Sequence, residues 1–194
     1  MTTLGLYRKQ KIENRKPIPG FRRALIMGGA KSGKSRHGLN MAQHFPPPRL
    51  FVATGQPQDA EMAARIARHR RERGPEWDTR EEPLSLPAVL EEAQRRYGVI
   101  LVDCLTLWLS NLMLREGQTE AAMDQAIQEL LAAFEKTATP VILISNEVGW
   151  GIVPENALAR TFRDRAGRLH QQLAAAADLV ALVVAGLPLV IKGG

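Results

Sequence analysis

A glycine-rich stretch with the spacing G-x-x-x-x-G-K-S places the strongest constraint on the fold of this chain. It follows the apolar run 24–27 and precedes a helix-compatible segment. This spacing is typical of the phosphate-binding P-loop, in which backbone N–H groups and a helix N-terminus surround a polyphosphate. The sequence therefore predicts a strand, a loop and a helix that bind a nucleotide. The residues of this P-loop (residues 28–35) are Gly28, Gly29, Ala30, Lys31, Ser32, Gly33, Lys34 and Ser35.

Four of the motif residues have predicted roles that follow from their chemistry. Gly28 and Gly33 allow the positive φ angles and the close backbone approach that the loop needs. Lys34 is expected to reach the β and γ phosphates, and Ser35 to place its hydroxyl on Mg²⁺. Asp103 ends a second apolar run and fits a Walker B acid that binds Mg²⁺ directly or through water. The alternative is that Asp103 only caps the following helix.

Apolar runs alternate with amphipathic segments along the chain, which predicts an α/β fold of the P-loop NTPase type with a doubly wound, mostly parallel sheet. Residues 155–177 predict a helix with a single buried stripe, formed by Leu158, Phe162, Ala166, Leu169 and Leu173. Residues 189–191 are predicted to form a final strand that pairs with 179–184 through a turn at 186–188. The predicted strands are 24–28, 49–54, 99–103, 140–146 and 179–184, and 77–81 is predicted to be a short extended piece. The other predicted helices are 35–44, 59–73, 86–96, 105–114 and 119–137.

The positive net charge belongs to the first residues of the chain. The chain has 26 basic and 20 acidic residues. Seven of the basic residues and one of the acidic residues lie in 1–23, so 24–194 holds 19 of each. We expect residues 1–23 to be a flexible basic leader and residues 24–194 to be one neutral domain that does not bind nucleic acid. One cysteine and no apolar run of about 20 residues predict a cytoplasmic protein without a membrane span.

The segment 59–73 carries five arginines around His69. One interpretation is a helix with a solvated basic face. The other is a second element that binds phosphate, in which the arginines hold a polyphosphate and His69 acts as a base or nucleophile. Cys104 is expected to be a small buried side chain, since no Cys and His spacing typical of a metal site occurs.

Several stretches together resemble the bifunctional adenosylcobinamide kinase / adenosylcobinamide-phosphate guanylyltransferase family of cobalamin biosynthesis. The most specific are the His69-Arg70 segment and the loop 146–154, which reads N-E-V-G-W-G-I-V-P. The resembling stretches are 28–36, 59–62, 65–66, 69–70, 77–81, 103–108, 146–154, 159–160, 162–164, 167–168 and 175–178.

The resemblance implies two reactions. ATP or GTP phosphorylates adenosylcobinamide; GTP then guanylylates a histidine, and adenosylcobinamide phosphate accepts the GMP to give adenosylcobinamide-GDP. The GMP-carrying histidine falls on His69, and Asp103 is implied to serve Mg²⁺ or the kinase step. The resemblance also implies a homotrimer, and a contribution of the loop 146–154 to the active site. The residues implied to lie around the guanine nucleotide are Thr54, Gly55, Gln56, Arg73 and Glu81.

Two other functions remain open from the sequence. The chain could be a small-molecule kinase in which His69 is structural and no covalent intermediate forms. It could also be a nucleotide-binding regulatory module whose basic leader contacts nucleic acid, although the neutral charge of 24–194 argues against this. The basic leader and His170, where the family more often has asparagine, depart from the family pattern.

Overall fold

The apolar runs of the sequence form one seven-stranded sheet in the structure, a computed structural model that describes residues 20–55 and 74–193. The strands are β1 (Arg23–Gly28), β2 (Arg49–Ala53), β3 (Trp77–Glu81), β4 (Val99–Asp103), β5 (Val141–Asn146), β6 (Leu179–Val184) and β7 (Leu187–Lys192). The helices of the described ranges are α1 (Lys34–Ala42), α2 (Leu86–Glu92), α3 (Leu105–Leu114), α4 (Glu120–Lys136) and α5 (Ala157–Ala176).

The strand order is β3-β2-β4-β5-β1-β6-β7, and every neighbouring pair is parallel except β6 and β7. Alternate residues of the central strands enter two apolar clusters, with Leu25 in one and Ala24 and Ile26 in the other. Helix α1 contributes to the second cluster, and α2 to α5 to the first. The central strands are therefore apolar throughout because both of their faces are buried, as is usual for parallel sheets.

The predicted α/β class, the parallel sheet and the terminal hairpin are confirmed, but three local predictions are wrong. The hairpin turn is formed by Ala185 and Gly186, both with positive φ, and β7 already begins at Leu187. Helix α2 ends at Glu92 rather than at residue 96. Leu158, predicted to lie in the buried stripe of α5, is 51% exposed, because that helix is covered only from its middle onward.

The last residues of the segment 1–23 take part in the fold. Phe21 is buried and its ring packs edge-on against Phe45 with 5.3 Å between centroids, and Arg23 begins β1. Residues 1–19 and the predicted helix 59–73, which includes His69, lie outside the described residues. Within 20–55 and 74–193, none of the helices has the length and apolar character needed to cross a membrane.

Asp178 joins the beginnings of β1 and β6. Its Oδ2 accepts hydrogen bonds from the backbone N–H groups of Arg22 at 3.0 Å and Arg23 at 2.9 Å. Its Oδ1 accepts a third from the Arg23 guanidinium at 2.7 Å. This hydrogen bond with Arg23 is the main reason why the pKa of Asp178 lies below its ordinary value. The carboxylate thus holds in register the strand that leads into the P-loop.

We predict that Asp178→Ala lowers the free energy of unfolding by about 1–3 kcal/mol at pH 7, because two backbone donors and a guanidinium lose their acceptor. Since the folded pKa is depressed, this stabilisation is present above the ordinary aspartate pKa of 3.8 and is lost as the pH falls through the folded value. Urea unfolding at pH 7 and pH 3 measures both effects.

Asp164→Ala is the matched control, because the exposed Asp164 carboxylate pairs with the adjacent Arg163 on the same helix. It should change stability by less than about 0.5 kcal/mol. An equal loss of stability in the two variants, or a loss in Asp178→Ala that does not shrink in acid, would contradict the assigned role.

Candidate active site

The P-loop leaves β1 at Gly28 and enters α1 at Lys34, as the motif predicts. A Cβ atom on Gly28 would lie 2.5 Å from Ser32 Oγ and 2.6 Å from the carbonyl oxygen of Val183. Gly33 has φ +95°, and a Cβ atom there would lie 3.1 Å from the Cα of Gly186. Both glycines are therefore required by close approach, and Gly33 also by its backbone conformation.

Ser32 shows that the loop interior is polar and incompletely bonded. Its Oγ is the buried side-chain oxygen in the described ranges that has no hydrogen-bond partner. The Ser32 carbonyl, in contrast, accepts a hydrogen bond from Gly186 N–H at 2.8 Å. A buried hydroxyl without a partner is costly, so an oxygen-rich ligand such as a phosphate suits this cradle.

Lys34 lies over the P-loop and is buried, with its Nζ 3.1 Å from the carbonyl oxygen of Gly29, to which it donates. This bond uses one of the three N–H donors of the ammonium group. Its charge also acts on Cys104: burial mainly raises the pKa of that thiol, while nearby Lys34 opposes the shift. Lys34 begins α1, which packs against β4, the strand that ends at Asp103.

Asp103 ends β4, which is separated from β1 by β5 alone. At about 4.8 Å per strand, Asp103 and the P-loop strand are about 10 Å apart across the sheet. Within residues 20–55 and 74–193, no group of three or more His, Cys, Asp or Glu side chains could hold a metal ion. A single carboxylate, that of Asp103, at the same edge of the sheet as the phosphate loop fits Mg²⁺. This ion commonly takes one or two carboxylates together with phosphate and water oxygens.

Thr54 is fully buried, and its hydroxyl is engaged with the backbone that follows Asp103. The Thr54 Oγ1 donates to the Cys104 carbonyl at 2.7 Å and accepts from the Cys104 N–H at 2.8 Å. Cys104 is buried and unpaired, as predicted. The structure thus places Thr54 at the same edge of the sheet as the P-loop, with its hydroxyl bonded to the backbone at the end of β4.

Asn146 is the first residue of the loop 146–154, which the family resemblance implies to contribute to the active site. It ends β5, is in register with Gly28, and lies in the strand between the P-loop and Asp103. Its Nδ2 donates to Thr106 Oγ1 at 2.7 Å. The sequence already marks this position, because the polar Asn146 follows the apolar run of β5.

The other predicted site residues are distributed unevenly. Gly55 follows Thr54 at the end of β2, where an added Cβ would lie 3.4 Å from the side chain of Leu107. Glu81 is exposed at the end of β3, four strands from β1 and hence about 19 Å away across the sheet. Gln56, His69 and Arg73 lie outside the described residues.

His170 packs next to the end of β5. It is buried, and its Nε2 shares a hydrogen bond of 2.6 Å with Ser145 Oγ. Burial lowers the pKa of His170, and the charge of Glu147 opposes that shift. Glu147 in turn donates its N–H to the Gly28 carbonyl at 3.0 Å. The histidine is therefore a buried packing residue next to the strand that leads into the loop 146–154.

We predict that Thr54→Val lowers the free energy of unfolding by about 1–3 kcal/mol, because the N–H and carbonyl groups of Cys104 lose their common partner while the volume is conserved. The same change should weaken nucleotide binding, since Asp103 precedes the released peptide group. Urea unfolding and a nucleotide titration measure the two effects. Thr54→Ser keeps the hydroxyl and should retain most of both properties; full stability of the valine variant would refute the role.

Comparison with solved structures agrees with this fold. A prototypical ATPase from the type III secretion system of pathogenic bacteria has a related structure, with a TM-score of 0.50 and 11% identity. The match covers 83% of this chain and 50% of that chain. At this identity the likeness concerns the fold alone.

Two relatives are much more similar in sequence. The bifunctional adenosylcobalamin biosynthesis protein CobP of Pseudomonas aeruginosa is 43% identical over 171 residues, which cover 88% of this chain and 98% of that protein. The bifunctional adenosylcobalamin biosynthesis protein CobU of Salmonella typhimurium is 44% identical over 179 residues, covering 87% and 98%. The model of one family, described as cobinamide kinase / cobinamide phosphate guanyltransferase, matches residues 24–191. By its fold, its P-loop and this match, the chain belongs to the cobinamide kinase / cobinamide phosphate guanyltransferase family.

Proposed function

We propose that this chain is a bifunctional transferase of cobalamin nucleotide-loop assembly. It phosphorylates adenosylcobinamide with ATP or GTP, and it transfers GMP from GTP to adenosylcobinamide phosphate to give adenosylcobinamide-GDP. The observation that carries the proposal is the P-loop of a member of this family, with buried Lys34 at the start of α1, a helix that packs against the strand ending at Asp103. The cradle provides the phosphate site that both transfers need.

In the kinase step, the acceptor hydroxyl oxygen forms a bond to the γ phosphorus and releases its proton to solvent, and the bond from that phosphorus to the β–γ bridging oxygen breaks. The nucleoside diphosphate leaves. Lys34 and the backbone N–H groups of the P-loop stabilise the negative charge that builds up on the transferred group and on the leaving oxygen. Because Lys34 is already held against the loop through Gly29, little reorganisation is needed when the phosphates bind.

Mg²⁺ is part of the same proposal. Ser35, in the first turn of α1, and Asp103, at the end of β4, are the residues that would hold it. A bound Mg²⁺ would offset charge on the phosphates of the nucleotide. The arrangement of a hydroxyl and one carboxylate beside a phosphate cradle supports this assignment.

In the guanylyl transfer, a ring nitrogen of His69 attacks the α phosphorus of GTP, and the bond to the bridging α–β oxygen breaks, releasing pyrophosphate. A phosphate oxygen of adenosylcobinamide phosphate then attacks the same phosphorus, and the nitrogen–phosphorus bond breaks. A histidine nucleophile divides one difficult displacement into two easier steps. Thr54, Gly55, Gln56, Arg73 and Glu81 complete the proposed guanine-nucleotide site.

We expect the protein incubated with GTP labelled at the α phosphate to form a covalent GMP adduct that is labile to acid. His69→Ala should abolish the adduct, because the attacking nitrogen is lost. Lys34→Ala should slow its formation about 100-fold, the usual cost of removing one preorganised donor to a developing oxyanion. Denaturing gels measure the adduct, and a cobinamide phosphorylation assay run in parallel measures the kinase step.

His44→Ala is the matched control, because His44 is exposed near the end of α1 and bonds only backbone carbonyls of its own helix among the described residues. It should label as the wild type does. If the wild type phosphorylates cobinamide but never labels, the chain is a kinase alone. Labelling that survives in His69→Ala would move the nucleophile elsewhere.

We further propose that the chain is a homotrimer that works in the cytoplasm as a single domain, which includes residues 21–23 as well as 24–194. The support for assembly is β7, an antiparallel edge strand with exposed apolar side chains on both faces. Such an edge is suited to pairing with another chain. The unpaired, buried Cys104 is in keeping with a reducing compartment. The exposed apolar residues of this hairpin are Val184, Leu187, Leu189, Val190 and Ile191.

We predict a particle mass three times the chain mass of 21.4 kDa by sedimentation, and a smaller particle for Leu189→Lys, because a charge would be buried in the proposed interface. Leu114→Lys replaces an exposed apolar residue outside the hairpin and should leave the mass unchanged. A monomeric wild type, or an unchanged mass for Leu189→Lys, would contradict the assignment of this surface.

A further inference from the structure

The loop between β5 and α5 exposes an unusual apolar surface. Trp150 is 77% exposed, Ile152 is 96% exposed and Val153 is 60% exposed. The stretch 148–154, here named the apolar loop, contains no charged residue. A cluster of large apolar side chains in water is unfavourable unless another molecule covers it. The apolar loop is therefore a candidate binding surface.

Both ends of the apolar loop are fixed to the protein. At its beginning, the Glu147 carboxylate accepts a hydrogen bond from Gly149 N–H at 2.6 Å. At its end, the Arg160 guanidinium donates to the carbonyl oxygens of Pro154 at 2.9 Å and Glu155 at 2.6 Å. The segment is therefore anchored on both sides, and its apolar side chains face outward from a defined frame.

The apolar loop also begins next to the phosphate cradle. The Glu147 N–H donates to the carbonyl oxygen of Gly28, the first residue of the P-loop. Asn146, one residue earlier, is in register with the same glycine. The apolar loop therefore leaves the sheet beside the phosphate cradle, and Trp150 follows Asn146 by only four residues.

The acceptor of the proposed kinase reaction has the chemistry that fits this surface, and this step of the inference rests on the proposed function. A cobinamide carries a broad corrin ring with methyl groups and uncharged amides at its edge. Its hydroxyl must come within about 3.5 Å of the γ phosphorus. The ring is far larger than the P-loop cradle, so it has to lie on the surface beside it.

The β6–β7 hairpin is another exposed apolar surface near the P-loop, but it fits the corrin ring less well. Its turn contacts the cradle through Gly186, whereas the exposed apolar side chains of β7 extend away along a strand of six residues. A strand edge offers backbone hydrogen bonds, which suit another polypeptide. The apolar loop instead offers the flat indole of Trp150, which suits a planar ring.

We propose that Trp150, Ile152 and Val153 form the surface that binds the corrin ring of the acceptor during both transfers. Trp150→Ala and Ile152→Ser should each raise the KM for cobinamide about 10-fold or more, as expected for a central apolar anchor. The kcat at saturating cobinamide should stay within about two-fold, because the phosphate cradle is untouched. Steady-state kinetics with varied cobinamide at fixed nucleotide measures both.

A second measurement separates this proposal from the proposed function. Labelling by GTP in the absence of any corrinoid should be the same in Trp150→Ala and in the wild type, since the first guanylyl transfer needs no acceptor. If the wild type is not labelled by GTP, the proposed guanylyl transfer is wrong. The KM for cobinamide in the kinase reaction would still test the apolar loop. Normal labelling with an unchanged KM for cobinamide would refute the apolar loop alone.

Two further variants complete the design. Leu114→Ala removes an exposed apolar side chain, 65% exposed at the end of α3, and should leave the KM unchanged. Trp150→Phe keeps an aromatic face and should recover most of the affinity lost in Trp150→Ala. If Trp150→Ala changes the sedimenting mass while leaving the KM for cobinamide unchanged, a second copy of the chain covers the loop and the proposal is wrong.

Discussion

The close approach of Gly28 to Ser32 and to the Val183 carbonyl determines how the chain leaves β1 and turns into the P-loop. Any side chain at Gly28 would push the loop away from β6, and Lys34 would move with it. The ends of β5 and β6 lie on either side of this glycine, so its position also fixes the loop that follows Asn146. The active-site edge of the sheet is thus built around a residue without a side chain.

The next constraint is a polar network that joins the ends of three strands. Thr54 at the end of β2 bonds to both backbone groups of Cys104, and Asn146 at the end of β5 bonds to Thr106. Parallel strands are held together along their length by ladder hydrogen bonds, which end where the loops begin. Here the side chains continue that connection beyond the sheet. The segment 104–106, which directly follows Asp103, is therefore bonded to β2 on one side and to β5 on the other.

Much of the fold could be predicted from local pattern, because apolar runs and turn residues act over short distances. The run 99–103 gives β4 with the correct limits, and the P-loop gives both β1 and the beginning of α1. The exposure of Leu158 could not be predicted, because helical periodicity does not reveal how far the neighbouring helices extend along α5. The turn at Ala185 was missed because a positive φ at alanine has no sequence signal.

The candidate site was predictable in kind but less so in arrangement. The positions of Lys34 at the start of α1 and of Asp103 at the end of β4 were predicted, because each lies at a fixed place in a motif that joins a strand to a helix. The hydrogen bonds between the Thr54 hydroxyl and Cys104, and the distance of Glu81 from β1, depend on which strands are neighbours in the sheet. The residues of a single strand do not reveal that order. His69 was selected by resemblance and by the arginines around it, and its role stays a prediction.

The hydrogen bond from Gly186 to the Ser32 carbonyl has a consequence for the design of altered chains. Turns of edge hairpins usually tolerate inserted residues well, because their backbone groups face water. In this protein the turn N–H is bonded to the nucleotide cradle, and the Gly186 Cα lies where a side chain on Gly33 would need room. An epitope or a circular-permutation break placed at that turn would therefore disturb the phosphate loop, although it lies more than 150 residues away in the sequence.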